Sequence, residues 1–442
     1  MDSIHEGPAA QDRPPAAGTA LPIHTRYRWR LLGALWVIIV CAVAMPSVGA
    51  SVVNTHMAEA LGFDRTVIGI GFGLFVLTMG VPGPLVAAAI RRFGVKRVIV
   101  AGCALLSAGS LVMATSVTQP WQFPLAFGLV VGAGVACAGV LPAQAAVAQW
   151  FPDRRALAVS IVLSAIDIGG MVAPPVLEKL IAQQGGDWRS GWFAMFAMGL
   201  AAFAIAVLAI RRDLAGVAAD PFAATVQEVQ AGMGGKLEAA WTVRDALRTR
   251  TYWMILVFTC VVGFDWMLMM AHGVIHLHDS GYSSGASAFA VAIMVAASLA
   301  GNVLAGVLGD RISARRIGVV AMGLLTVGLA AAVHPRGDAG LWYFAVPVGL
   351  GYGASQVCLM ALLGKYFGAR AFPQLLGLLL AVGTALAAVL VAGGGAVFDK
   401  TGSYTPVFVL CVALSVLATI AIGLATSPDA RRQRQKAVLG IS

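Results

Sequence analysis

Three side chains in one apolar stretch, Asp265, His272 and His276, are the residues of this chain best suited to handling a proton. They stand seven and eleven positions apart, which on a helix of 3.6 residues per turn puts all three within about 40° of one line. A charged carboxylate at the centre of a membrane helix costs about 2.5–3.5 kcal/mol on insertion scales, and protonation removes that cost. Histidine exchanges protons near neutral pH. The stripe therefore offers one carboxylate and two imidazoles that can relay a proton or hold a polar solute. His278, two positions further on, reads as an interfacial residue, which is also the alternative for His272 and His276. Asp167 is the second acid deep in an apolar run, twelve residues beyond Arg155, or about 18 Å along a helix. Its neighbours Gly169 and Gly170 leave a second reading open, in which it caps an adjoining helix. Gln144, Asn302 and Gln356 lie in other apolar runs, where each either bonds a solute or joins two helices.

Other chemistries find no residues to carry them. The six cysteines, Cys41, Cys103, Cys137, Cys260, Cys358 and Cys411, all fall inside apolar runs and never as C-x-x-C. They read as small core-filling side chains, not as a metal site or a disulfide framework. No phosphate-binding G-x-x-x-x-G-K-[ST] is present; Gly235-Lys236 lacks both the upstream glycine and the hydroxyl residue. Neither a serine nucleophile with a histidine base nor a His/Glu metal motif occurs. The expectation is a non-enzymatic protein without metal or cofactor.

The elements that must position these residues follow from composition. Of 442 residues, 59% are hydrophobic and 11% charged, against roughly 25% charged in a soluble domain. Apolar runs near 20 residues, the length that crosses a bilayer, occur at about 31–52, 67–90, 98–117, 123–149, 156–178 and 192–210. A second set occurs at about 252–275, 286–308, 317–333, 341–364, 374–397 and 405–425. The spacing predicts an all-α polytopic membrane protein of twelve transmembrane helices. With both termini on one side, that side holds 25 of the 30 lysines and arginines. The other side holds Arg65, Lys179, Arg189, Arg336 and Lys400. By the positive-inside rule both termini are expected in the cytoplasm, in the plasma (inner) membrane. The net charge of +10 is thus accounted for by topology, and nucleic acid is not expected as a partner.

The two sets repeat one another. At an offset of 219, Gly62 meets Gly281, Arg92 meets Arg311, Lys96 meets Arg315, Arg97 meets Arg316 and Gly109 meets Gly328. The same offset pairs Gly132 with Gly351 and Gly134 with Gly353, and Trp150-Phe151 faces Tyr366-Phe367 at 216. Two six-helix halves in parallel repeat are expected, related about the membrane normal. The organisation is a disordered tail at 1–28, a first half at 29–210, a linker at 211–250, a second half at 251–426 and a tail at 427–442. The end of the linker, Leu237 to Arg250, spaces Leu237, Trp241 and Leu247 among charges like a helix lying on the membrane surface.

After the eighth run the chain reads Gly306-Val-Leu-Gly-Asp310-Arg311-Ile-Ser-Ala-Arg315-Arg316. This resembles the G-x-L-x-D-R signature of the major facilitator superfamily. The first-half copy has Ala87 and Arg91 at the glycine and aspartate positions but keeps Arg92, Gly94, Lys96 and Arg97. The resemblance implies the major facilitator fold and a cytoplasmic gate held by Asp310, Arg311 and Arg315, with Arg92 and Gly94 in the other half. Three further stretches are similar to the monocarboxylate transporter and oxalate/formate exchanger branch. They are Gln149-Trp-Phe-Pro-Asp-Arg154-Arg155 with Pro174-Pro175, Trp241-Thr-Val-Arg-Asp-Ala-Leu-Arg248, and Lys365-Tyr-Phe-Gly-Ala-Arg370. Arg154 and Arg155 join the expected gate. That branch commonly pairs its substrate carboxylate with a basic residue in the eighth or eleventh helix, and both runs here contain none.

The reading is a secondary active transporter working by alternating access, with a small-molecule substrate, protons and the lipid bilayer as partners. A proton-linked carboxylate-type metabolite is the leading substrate class, with symport as the mode. A cationic or zwitterionic compound is the alternative, since two buried acids and no buried base suit it. A non-transporting membrane sensor is a third class, disfavoured by the absence of a signalling domain. In a background without native cysteines, cysteines placed at Gly235 and Gly337 should label with an impermeant maleimide from opposite faces of the membrane. Labelling from one face would overturn the topology.

Overall fold

A computed structural model describes residues 22–151, 155–210, 241–309, 311–335, 337–426 and 428. The expected tails at 1–21 and 429–442, the linker up to residue 240, Arg154 and Asp310 lie outside the described residues. Those residues form helices and no strands, as a bilayer requires of any segment that must bond its own backbone. In chain order the spans are Tyr27–Leu61, the pair Arg65–Gly80 and Gly83–Phe93 bent by 45°, Val95–Thr115, Pro124–Val147, Leu157–Gln183 and Arg189–Ala209. The second six are Arg250–Asp279, Ser284–Gly309, Ala314–Val333, Ala339–Gly368, Gln374–Thr401 and Thr405–Leu424. The twelve expected runs are all present. Several helices, among them Tyr27–Leu61, Arg250–Asp279 and Ala339–Gly368, overrun their apolar windows at both ends, where more polar turns extend beyond the hydrophobic stretch.

Local chemistry sets the breaks. Gly62 ends the first span in the left-handed conformation with φ +63°, which glycine adopts without strain. Gly94, with φ +86°, makes the turn between the second and third spans. Gly368, with φ +69° and ψ 170°, interrupts what is otherwise one continuous helix from Gly337 to Thr401. Segments Val40–Gly49, Pro124–Val131 and Met269–Gly273 are π-helical, in the first, fourth and seventh spans. Pro46 explains the first, since proline inside a helix removes an i→i−4 bond and forces the turn to widen.

The halves repeat in contacts as well as in sequence. In the first, the third span packs on the fourth and sixth; in the second, the ninth packs on the tenth and twelfth. Lys96 Nζ donates to the Val207 carbonyl at 2.6 Å, and its counterpart Arg315 donates to the Ala425 carbonyl at 3.5 Å. Each cation thus caps the last turn of the sixth helix of its own half, where helix carbonyls lack partners. The aromatic ends of the fourth and tenth spans are used alike. Trp150 and Phe151 pack edge-on against Tyr27 and Trp29, at 4.6 and 5.6 Å. Phe367 takes Trp241 and Tyr252 at 5.7 and 6.3 Å. The expected surface helix is described only as the short helix Val243–Leu247, capped by Thr242, with Trp241 buried against the second half.

One register needs correction. Close approaches pair Gly132 with Gly349, since these pack on Phe75/Thr78 and on Met294/Ala297, whose own offset is 219. Likewise Gly134 packs on Leu106 and Gly351 on Leu325. The fourth and tenth spans therefore align at 217, not 219, with Phe127 opposite Phe344. Two residues are lost in the loop before the span, and one more at Gly139, a non-helical residue with φ −86° and ψ −149°.

The halves meet along two seams, the second span on the eleventh and the fifth on the eighth. Glycines make the first seam close. A Cβ at Gly69 would stand 2.6 Å from the Val391 carbonyl oxygen, one at Gly73 2.6 Å from that of Ala388, and one at Gly80 3.1 Å from Thr384. Small residues of this kind let helix backbones touch where no hydrophobic effect draws them together. Gly73→Val should force the seam apart and lower the melting temperature by several degrees, an overpacking cost of about 1–3 kcal/mol. Gly83→Ala, at a site with nothing within 4 Å, should leave it unchanged. Equal melting temperatures for the two would contradict this packing.

Candidate transport pathway

The ends of the bundle differ in chemistry. The end carrying the short Arg- and Lys-rich turns is here called the basic end and the opposite one the distal end. At the distal end the halves are tied by ions. Arg65 Nη2, at the start of the second span, bonds both carboxylate oxygens of Asp279, the last residue of the seventh, at 3.0 and 3.1 Å. Its guanidinium also lies 5.4 Å from the Phe398 ring centre. Asp399, on the eleventh span, accepts from the backbone amides of Arg65 and Thr66 at 2.9 and 2.8 Å, and from the Thr66 hydroxyl. Asp64, the residue preceding this helix, makes no side-chain cap. The cap is supplied instead across the interface by a carboxylate at the positive end of the helix dipole. A Cβ on Gly395 would strike the Arg65 carbonyl, so only glycine admits this approach. His278 Nδ1 and Glu59 Oε1 make a further link between the halves at 2.9 Å. His56 and Glu178 pair at 2.8 Å within the first half.

No ion pair joins the halves at the basic end among the described residues. Lys96 and Arg315 are committed to carbonyls of their own halves, and Arg92 lies over the adjacent Phe93 ring at 5.3 Å. Arg311 is exposed, Gly94 forms its turn, and Arg155 opens the fifth helix. Of the expected gate, then, Arg315 serves its own half, and Asp310 and Arg154 lie outside the described residues.

The stripe on the seventh span holds together: Asp265 and His276 are turned into the second half, and His272 stands at the seam, beside Gly69 of the second span. Asp265 is fully buried; its Oδ2 accepts from the Ser415 hydroxyl at 2.7 Å, while Oδ1 has no partner. His272 Nε2 donates to the Val391 carbonyl at 3.1 Å, leaving Nδ1 to accept from the Tyr404 hydroxyl at 3.0 Å. His276 Nε2 donates to the Ala332 carbonyl at 2.8 Å, and its ring packs on Phe408 at 4.5 Å. Both imidazoles thus fasten the seventh span to the ninth, eleventh and twelfth.

A second polar group lies at mid-depth. Trp266, next to Asp265, stacks on Tyr352 of the tenth span, with ring centres 3.8 Å apart and planes 12° from parallel. Gln356 Nε2 donates to the Tyr352 hydroxyl at 2.8 Å. Gly353, next to Tyr352, packs on Ser298 of the eighth span, and the fifth span of the first half brings Asp167. One turn beyond it, Gly170 packs on Val295 of the eighth span, which fixes this face of the fifth helix toward the second half. One turn before it, Ser164 accepts from Trp36 Nε1 at 3.3 Å. Gln144 is half-buried on the fourth span, and Asn302 lies where the eighth span meets Gly353 of the tenth. Gln356 is thus joined to Tyr352, and Asp265 is bonded to Ser415 on the other side of the seventh span.

A twelve-helix bundle of two like halves, clamped by ions at one end and carrying carboxylates at mid-depth, defines a polytopic membrane transporter. The chain belongs to the Major Facilitator Superfamily: residues 35–379 match that family's model, and residues 255–439 match it again. Among its relatives, the uncharacterized MFS-type transporter YcxA of Bacillus subtilis is 25% identical over 392 residues, 82% of this chain and 87% of YcxA. Monocarboxylate transporter 13 of Bos taurus is 26% identical over 332 residues, 74% of this chain and 72% of its own. The fold is shared with the nucleoside transporter NupG, with a TM-score of 0.69 at 12% identity, covering 90% of this chain and 98% of NupG. A bacterial homologue of the lysosomal transporter Spinster, solved inward-facing and occupied, gives 0.67 at 17% identity, covering 90% and 97%.

The sequence reading passed over Arg65, Asp279, Asp399 and Glu59. The signal was there: Arg65 is one of only five cations on its side, and acids end both the seventh and eleventh runs. Charge-assisted bonds contribute about 1.5–3 kcal/mol each when protected and less where water reaches them, so losing the Arg65 clamp should shift the closed population about tenfold. Nitroxide labels at Ala60 and Ser280, on opposite halves of the distal end, read this as a distance. Arg65→Ala should lengthen and broaden that distance in pulsed electron resonance. An unchanged distribution would mean that packing alone keeps the end shut.

Proposed function

We propose that this transporter moves a small organic solute across the plasma membrane by alternating access, driven by protons, with the basic end in the cytoplasm. The observation that carries the reading is the one-sided clamp. Among the described residues the ion pairs between the halves lie at the distal end, so this arrangement is closed outward, with Asp265 held inside the second half. The surplus of cations on the basic end supports its cytoplasmic assignment. Asp265 is the coupling carboxylate of this reading. Its carboxyl is fully buried, with the Ser415 hydroxyl on Oδ2 and the Cys411 thiol beside it, so a proton there relieves the cost of burying charge. Ser415 and the unpartnered oxygen give it a different environment in each protonation state, which is what coupling to helix movement requires.

Two substrate classes follow. The relative named monocarboxylate transporter 13 supports a carboxylate. The space between the halves supports an ammonium-bearing compound, since no lysine or arginine of the described spans reaches mid-depth. Uptake of labelled candidates into proteoliposomes, with and without an inward pH gradient, tests the proposal. Asp265→Asn, a mimic of the protonated carboxyl, should abolish accumulation against a gradient while leaving solute exchange. Full accumulation with normal pH dependence would make Asp265 a structural tie and leave the coupling to another group.

A further inference from the structure

We infer that Asp167, Trp266, Tyr352 and Gln356 form a binding site for the ammonium group of an organic cation or zwitterion. The inference rests on the transport reading and names the substrate class of its central site. Its geometry comes from three helices of both halves. The first half supplies one carboxylate, on the fifth span; the second supplies a stacked indole and phenol, with ring centres 3.8 Å apart, from the seventh and tenth spans. The Gln356 amide donates to the phenol oxygen and fixes the ring's orientation. Its side-chain carbonyl remains as a neutral acceptor.

Charge decides between the two classes. A carboxylate solute at this depth needs a donor or a cation, and the described spans place every lysine and arginine near their ends. Arg65 is already bonded to Asp279. The seventh-span histidines give their Nε2 hydrogens to carbonyls of the second half. An ammonium group meets the opposite situation. Asp167 is half-buried, with no hydrogen bond or ion pair among the described residues, and aromatic faces attract cations most strongly where water is excluded. The solute would then do what no side chain here does, neutralising the carboxylate of one half while lying against the aromatic pair of the other. Binding and the approach of the halves are coupled by that division of labour.

A matched pair of probes separates the classes: benzyltrimethylammonium and phenylacetate share an aromatic body and differ in the sign of charge. Calorimetric titration of the purified full-length protein should show binding of the cation and none of the anion. Asp167→Asn should weaken the cation at least about tenfold, and Trp266→Leu by a smaller factor. Each variant's melting temperature, measured without probe, reports whether it is folded; should Asp167→Asn be unstable, Asp167→Glu, which keeps the charge, must retain binding. Preference for phenylacetate, equal cation affinity in Asp167→Asn, or no binding of either probe to folded protein would each overturn the inference. Proton-driven uptake is read separately in proteoliposomes. Loss of the cation site with uptake intact would therefore remove the substrate class without touching the transport reading.

Discussion

Within a bilayer the backbone finds no water, and a charge finds none either unless the protein supplies a wet cavity. That constraint turns this chain into helices and pushes nearly all its ions to the helix ends. It also limits how two halves can hold each other. At mid-depth the seams are made by glycines and alanines in van der Waals contact, a contact that either half can leave without breaking a bond. Only at the ends can ions join one half to the other, and among the described residues they do so at one end. Arg65 and Asp399 act within a single turn of each other, one reaching out to Asp279, the other reaching in to cap a helix of the opposite half. A closed end built from few, water-reachable bonds is strong enough to choose a state and weak enough to release it.

Much of the architecture is legible in the sequence because it is written at low resolution. Twelve apolar runs, the segregation of cations and the six-helix repeat require only hydropathy and counting. The stretch Gly306 to Arg311 carries the resemblance to the family's signature. The register of the fourth and tenth spans is another matter. Glycines two residues apart make offsets of 217 and 219 look equally good, and only the backbones that those glycines touch choose between them. The loops where residues are lost carry no pattern that records the loss.

The central site was half legible for a related reason. Helical periodicity correctly places Asp265, His272 and His276 on one face, yet periodicity cannot say which neighbour that face meets. It meets the twelfth helix, where Ser415, Tyr404 and Phe408 receive it. Trp266, one position away and therefore turned by about 100°, meets Tyr352 of the tenth helix instead. Aromatic residues in membrane helices are too common to mark such a position by type alone. The distal clamp escaped because its partners are far apart in the chain, with Arg65 and Asp399 separated by 334 positions.

The π-helical segments of the first, fourth and seventh spans have a mechanical meaning. A widened turn behaves as a dislocation in the helix, one surplus residue that the hydrogen-bond ladder must pass around. It can migrate along the axis by exchanging one bond for the next, and each step rotates the residues it passes without parting the helix. The outer and inner portions of these three spans are thereby geared to each other loosely. A rod in their place would transmit every twist from end to end. Here the portion of the seventh span bound to the distal clamp can keep its seat while Trp266, below the dislocation at Met269–Gly273, turns relative to it.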